Sequence, residues 1–312
     1  METINILCST DDKYVPYCGI MLTSLFENNR PYTLCTYILT EGLHPKNRSL
    51  FSQLAERYNT SIYIVQVSDE RIAQCPMPPE SHLTSLVTYY RLLAPNLLPL
   101  EVKRIIYLDC DMIVDGDIES LWNEPVENVA LGAVIDESHY LKATSRRLDV
   151  LADVPTFNSG MLLINVEYWR KHAITEQCFD YIHKFPDRIR FHDQDVLNHI
   201  VMNSRVLLPI RYNFQTGFLY QGRQLDDAVL VEVEEAMHTP VIVHYTAGVK
   251  PWSKYSYVKR PFRSKYLYYR SISLWKNYPL VCWSVPQLIQ FFLYRIACTI
   301  GIRKRVQLYI MP

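Results

Sequence analysis

Arg104-Ile-Ile-Tyr-Leu-Asp109-Cys-Asp111-Met-Ile-Val114 is the stretch from which the rest of the chain is read. A short, continuous apolar run ends in two carboxylates one residue apart. A run of that length without alternation fits a strand buried on both faces. In open α/β sheets, ligands bind outside the carboxyl ends of such strands. The chain opens the same way, since Ile4 to Ser9 is apolar and runs into Thr10-Asp11-Asp12. Further runs lie at Thr33 to Leu39, Ser61 to Val67, Val129 to Val134, Met161 to Ile164 and Val241 to Val243. Helix-like segments separate several of them, at Tyr17 to Asn28, Pro45 to Tyr58, Leu83 to Ala94, Val166 to Lys184 and Gln194 to Met202. Strands and helices alternating at these lengths predict a mostly parallel, Rossmann-like sheet with helices on both faces. Residues 205 to 260 lose this periodicity and read as loops and short strands around a site.

Two carboxylates spaced like Asp109 and Asp111 can converge on one hard cation, and a cation so held can bind the oxygens of a diphosphate. The plainer alternative is a polar turn capping a helix around Asp117 to Trp122. Two chemistries share the signature. In nucleotide-sugar glycosyl transfer a metal holds the leaving diphosphate. In a haloacid-dehalogenase-type phosphohydrolase the first aspartate is the nucleophile, and the motif usually opens the chain. Here it lies a third of the way along, which favours glycosyl transfer. A non-catalytic sugar-nucleotide-binding module is the third reading.

Other segments add polar groups. Phe157-Asn-Ser-Gly160 reads as a tight turn before a strand, with Asn158 and Ser159 free to hydrogen-bond and Gly160 permitting close backbone approach. In Phe191-His-Asp193-Gln194-Asp195, Asp193 is a candidate helix N-cap, and Asp193 with Gln194 is suited to reading sugar hydroxyls. His244 to Trp252 places an imidazole, Gly248, Lys250 and Pro-Trp in one loop after a strand. A neutral imidazole is a competent metal ligand and a lysine on a flexible stem reaches phosphate. Tyr89-Tyr90-Arg91 offers a guanidinium to the same cleft, an ordinary surface ion pair being the plainer alternative.

The 312 residues carry 32 Lys+Arg against 32 Asp+Glu, which argues against a nucleic-acid binder that relies on bulk positive charge. The eight cysteines show no C-x-x-C spacing, so neither a zinc ribbon nor a disulfide framework is expected. METINILCSTDD lacks a basic, cleavable leader, which points to a reducing cytoplasm. From about Tyr278 the chain changes character. Val281 to Ile302 is apolar but interrupted by Pro286, Gln287, Gln290 and Arg295, and Arg303-Lys304-Arg305 follows. That pattern suits an amphipathic segment at a membrane interface better than a spanning helix, and a docked core helix or a dimer contact is the alternative.

In order along one chain, Ser9-Thr10-Asp11-Asp12-Lys13-Tyr14, Tyr89-Tyr90-Arg91-Leu92, Leu108-Asp109-Cys110-Asp111, Phe157-Asn158-Ser159-Gly160, Asp193-Gln194-Asp195 and His244 to Trp252 resemble the retaining glycosyltransferases of family 8. The resemblance spans Ile4 to about Trp252. It implies a GT-A fold over residues 1 to 277, a C-terminal extension over 278 to 312, and transfer of galactose or glucose from UDP-galactose or UDP-glucose. The implied acceptor is a saccharide or lipid-linked glycan of the cell surface or lipopolysaccharide. By the same resemblance Asp109, Asp111 and His244 hold Mn²⁺, with Mg²⁺ as the alternative. Thr10, Asp11, Lys13, Tyr14, Gly248 and Lys250 contact the nucleotide. Arg91, Asn158, Ser159, Asp193 and Gln194 surround the donor sugar, the last two nearest the chemistry. The chain departs from the bacterial galactosyltransferase pattern at Lys13, often Asn there, at Ser159, often Ala, and in the place of Gly248. The tail resembles the membrane-associating extension of the lipopolysaccharide enzymes, which implies a peripheral place on the inner face of the plasma membrane.

Overall fold

The computed structural model describes residues 3–78, 85–137, 142–150, 154–220, 225–246, 250–256 and 258–302. Among them, ten strands form two sheets. The larger contains β1 (Ile4–Ser9), β2 (Leu34–Thr40), β3 (Ser61–Gln66), β4 (Arg104–Leu108), β6 (Leu131–Ile135), β7 (Phe157–Asn165) and β8 (Arg205–Leu207), in the spatial order β3-β2-β1-β4-β7-β6-β8. All run parallel except β7, which is antiparallel to both β4 and β6. The smaller sheet joins β5 (Met112–Val114), β9 (Phe214–Gln215) and β10 (Ile242–His244), with β10 in the middle.

The apolar runs become central strands because both faces of the sheet are covered. Ile6, Ile106 and Leu163 pack on one side with the helix Val15–Asn28, while Leu7, Ile105 and Leu162 pack on the other with Trp169 and Leu197. Successive strand residues point to opposite faces, so a strand buried twice needs apolar residues without alternation. The order of strands places the ends of β1 and β4 side by side, Leu7 being paired with Tyr107. Asp11 and Asp109 therefore follow the carboxyl ends of two adjacent central strands.

Three local readings are corrected. Phe157 to Gly160 is the beginning of β7, not a tight turn. Asp193 is not an N-cap: the helix His192–Ile200 starts before it, Phe191 is the cap position, and no side chain caps it. The segment after Asp111 is β5, which pairs with β10, and it is Asp117, further on, that accepts from the Glu119 N–H at the start of the helix Glu119–Trp122. That pairing brings His244 opposite Met112, one residue from Asp111. Past the second sheet, the helix Arg263–Ile272 lies on the first helix, where Tyr269 meets Asn28 and Asp115. Trp275 fills the space that a side chain at Gly19 would take.

Candidate active site

Asp109, Asp111 and His244 meet with one ligand atom from each lying within 4.8 Å of the others. Two carboxylates and an imidazole make an oxygen-rich set with one nitrogen, a donor set that can hold a divalent cation. Gly160 is part of the fit. A Cβ built on it stands 2.3 Å from His244 Cε1 and 2.9 Å from Asp109 Oδ2, so the cluster closes only over a glycine.

The imidazole is oriented by a chain of hydrogen bonds that begins at the backbone of β7. The register between β6 and β7 shifts at Ala133/Val134, so Asn158 pairs with Val134 while Leu162 pairs with Ala133, and Ser159 and Gly160 are left out of that ladder. Their amides turn inward instead. Ser159 N–H donates to Gln194 Oε1 at 3.1 Å and Gly160 N–H to Asn158 Oδ1 at 3.0 Å. A backbone N–H is always a donor, so both side-chain amides are fixed in orientation. Asn213 Nδ2 then donates to Asn158 Oδ1, also at 3.0 Å, which leaves Asn213 Oδ1 to accept from His244 Nδ1 at 3.0 Å. Asn213 thus turns Nε2 of His244 toward the cluster, 3.2 Å from Asp111 Oδ1, where the ring donates to the carboxylate when protonated and offers its lone pair to a cation when neutral.

Arg91 ties the Asp109, Asp111 and His244 cluster to Asp193. It is buried, donates from Nη2 to Asp109 Oδ1 at 2.9 Å, and sets Nε 3.1 Å from Asp193 Oδ2. Its guanidinium lies over the Tyr107 ring, 4.0 Å from the centroid, and another nitrogen donates to the Ser159 carbonyl. Tyr107 adds a second hydrogen bond to Asp109 Oδ1 at 2.9 Å, and burial raises its hydroxyl well above the ordinary tyrosine range, so it remains a donor. Burial is the largest influence on Asp193 and Arg91 opposes it; the net is a rise from 3.8 to about 6, which leaves a carboxylate at neutral pH. Burial also acts to raise Asp111, but Lys250 and His244 outweigh it and hold that carboxyl well below the usual range.

Gln194 is locked. Its Oε1 accepts from Asn158 Nδ2 at 3.2 Å as well as from Ser159, and its Nε2 donates to Asp136 Oδ2 at 3.2 Å. Lys250 Nζ donates to Asp111 Oδ2 at 2.7 Å and to the Tyr245 carbonyl at 2.6 Å. Tyr14 is partly exposed at the rim, where Asp111 and Asp109 add to burial in pushing its hydroxyl up to about 12.

Not every expected nucleotide contact points outward. Asp11 Oδ1 accepts from the N–H groups of Lys13 and Tyr14 at 3.0 and 2.9 Å, so it shapes the turn into the first helix. Thr10 is buried and its hydroxyl donates to the Asp11 carbonyl at 3.0 Å. Lys13 is exposed. Gly248 lies outside the described residues. Three residues of the site were missed in the sequence. Tyr107 was read only as strand filling, Asp136 follows a strand without any motif, and Asn213 sits where the periodicity is lost.

Comparison with known proteins agrees with this geometry. The family model described as Glycosyl transferase family 8 matches residues 5–256. General stress protein A of Bacillus subtilis (strain 168) is 30% identical over 281 residues, covering 88% of this chain and 96% of its own. The lipopolysaccharide 1,3-galactosyltransferase of Salmonella typhimurium is 26% identical, covering 90% of this chain and 81% of its own. Among solved structures, the galactosyltransferase LgtC in complex with donor and acceptor sugar analogs superposes with a TM-score of 0.75 at 22% identity, covering 87% of this chain and 96% of that one. The fold is thus GT-A, and the phosphohydrolase reading of Asp109 falls away. With the family model matching from the first strand to beyond the His244 loop, the chain belongs to glycosyl transferase family 8.

Proposed function

We propose that the protein is a retaining hexosyltransferase that takes galactose or glucose from a UDP-sugar and transfers it to a glycan or lipid-linked acceptor of the cell surface. The convergence of Asp109, Asp111 and His244 beside Lys250 carries this reading. Relatives that act in lipopolysaccharide synthesis, glucosyl- and galactosyltransferases among them, support the substrate class. Asp109, Asp111 and His244 would hold a divalent cation, which would supply positive charge to the leaving diphosphate.

The chain's own groups do the rest. Lys250 adds a second cationic group for the charge that grows on UDP as the glycosidic bond breaks. Tyr14 offers a ring to the base, and Asp11 sets the turn that carries it. Asp193 accepts hydrogen bonds from the sugar hydroxyls, and Arg91 holds it in place against Asp109. Gln194 Oε1 already accepts two hydrogen bonds, which lowers its competence as a nucleophile, so retention through same-face attack by the acceptor is favoured over a covalent intermediate.

The C-terminal extension is proposed to seat the enzyme on an anionic membrane. The helix Val285–Thr299 leaves Val285, Ile289, Phe292, Leu293 and Ile296 exposed at helical spacing, while Phe291 faces inward against Tyr255 and Trp283. Among the described residues no helix is long and apolar enough to cross a membrane. The test of the enzymatic reading is UDP release from a panel of UDP-hexoses with Mn²⁺ or with EDTA. Release of UDP from one preferred hexose donor, abolished by EDTA, is expected; release unaffected by EDTA contradicts the metal's role.

A further inference from the structure

The base of the C-terminal extension is bonded into the loop that carries Lys250. Val281 donates its N–H to the Trp252 carbonyl at 2.9 Å, and Lys254 donates to the Val281 carbonyl at 2.8 Å, making a parallel bridge across Ser253. From the other side, Arg263 donates to the carbonyls of Pro251 and Ser253 at 3.0 and 3.3 Å, and Arg260 also donates to Ser253. Underneath, the Trp252 ring stacks on Tyr17 at 3.9 Å, and Tyr17 meets Tyr278 edge-on at 6.1 Å. The rings of Trp252 and Tyr14 stand perpendicular with centroids 6.4 Å apart. Ser253 N–H bonds back to the Lys250 carbonyl at 3.1 Å, which connects the bracket to the lysine within three residues.

A lysine ammonium sits on four freely rotating carbons, so its effective concentration at a phosphate depends on where its backbone is fixed. We propose that Tyr278–Cys282 is a positioning segment of the donor site, whose bridge to Trp252 and Lys254 fixes the backbone from which Lys250 reaches the diphosphate. This rests on the reading of Lys250 as the phosphate partner. The segment belongs to the catalytic unit, and the membrane-facing part of the tail starts only at Ser284, the N-cap of the last helix.

The test uses the full-length chain and compares UDP with uridine by titration calorimetry. Val281→Pro removes the N–H that meets Trp252 and Val281→Ala keeps it. Loss of one hydrogen-bonded support to a charge-carrying loop is expected to weaken UDP about tenfold in Val281→Pro. Uridine binding stays at the wild-type level, and Val281→Ala retains both affinities. A purely structural defect weakens both ligands together, and wild-type UDP affinity in Val281→Pro overturns the proposal, as does equal weakening of UDP and uridine. A second measurement on the wild type needs no variant: amide exchange at Val281 and Lys254 is expected to slow with UDP and not with uridine, and equal protection by both overturns the proposal. Lys250→Ala separates the two readings. If it leaves the preference for UDP over uridine unchanged, the role of Lys250 fails; if it abolishes that preference while Val281→Pro does not, only the positioning role fails.

Discussion

Gly160 occupies a place on β7 where a side chain collides with the imidazole of His244, and His244 is not free to retreat because Asn213 holds its Nδ1. Gly160→Ala therefore forces the cluster apart. Overpacking of this kind costs about 1–3 kcal/mol, and the displacement of a ligand is expected to weaken Mn²⁺ binding about tenfold or more. Electron paramagnetic resonance of free Mn²⁺ against protein reads that loss, with circular dichroism confirming that the variant folds; unchanged Mn²⁺ affinity contradicts the packing argument. Asp109, Asp111, His244, Lys250, Asp193 and Gln194 were legible in the sequence as an ordered set of short motifs, although each motif taken singly also fits a turn, a cap or another chemistry. Asn213 and Asp136 were not, because they act by orienting an imidazole and two amides through contacts between residues far apart in the chain. Nothing in their own neighbours in sequence marks that work.

At the scale of elements, the apolar runs located β1 to β4 within a residue or two, since burial on both faces leaves a continuous signal. The direction of β7 was not legible, because an antiparallel strand buried on both faces has the same composition as a parallel one. The segment Val166 to Lys184 reads as one helix, yet it is two, Val166–Lys171 and Ile174–Lys184. Ala173 makes the break with a left-handed φ of 50° and is neither Gly nor Asn, the residues that usually announce such a turn. The left-handed conformation costs a residue with a Cβ about 1–2 kcal/mol, partly offset by the greater chain entropy of glycine. Ala173→Gly is thus expected to stabilise the fold by about 0.5–1 kcal/mol in chemical denaturation; a lower midpoint contradicts this account of the break. The helix Asp227–His238 was also missed, its valine-rich sequence lying in the stretch without clear periodicity.

At the scale of the whole molecule, the candidate site lies at the carboxyl ends of the central strands β1 and β4, and the base of the tail is bonded to the segment that follows Lys250. Aspartate in place of Phe292 and Ile296 together introduces charge on the exposed helix face while leaving Phe291 against Tyr255 and Trp283. Sedimentation with anionic vesicles is expected to show about tenfold weaker association for that variant, with UDP release unaltered; equal association by variant and wild type returns the helix to a docking or dimer role. The proposed reaction requires Asp109, Asp111 and His244 to hold one divalent cation for the diphosphate. The most direct measurement is Mn²⁺ titration of the wild type and of Asp111→Asn, each with and without UDP. The prediction is a single Mn²⁺ site in the wild type, tightened by UDP, and no such site in Asp111→Asn. Equal Mn²⁺ binding by the two proteins, or Mn²⁺ binding indifferent to UDP, would contradict it.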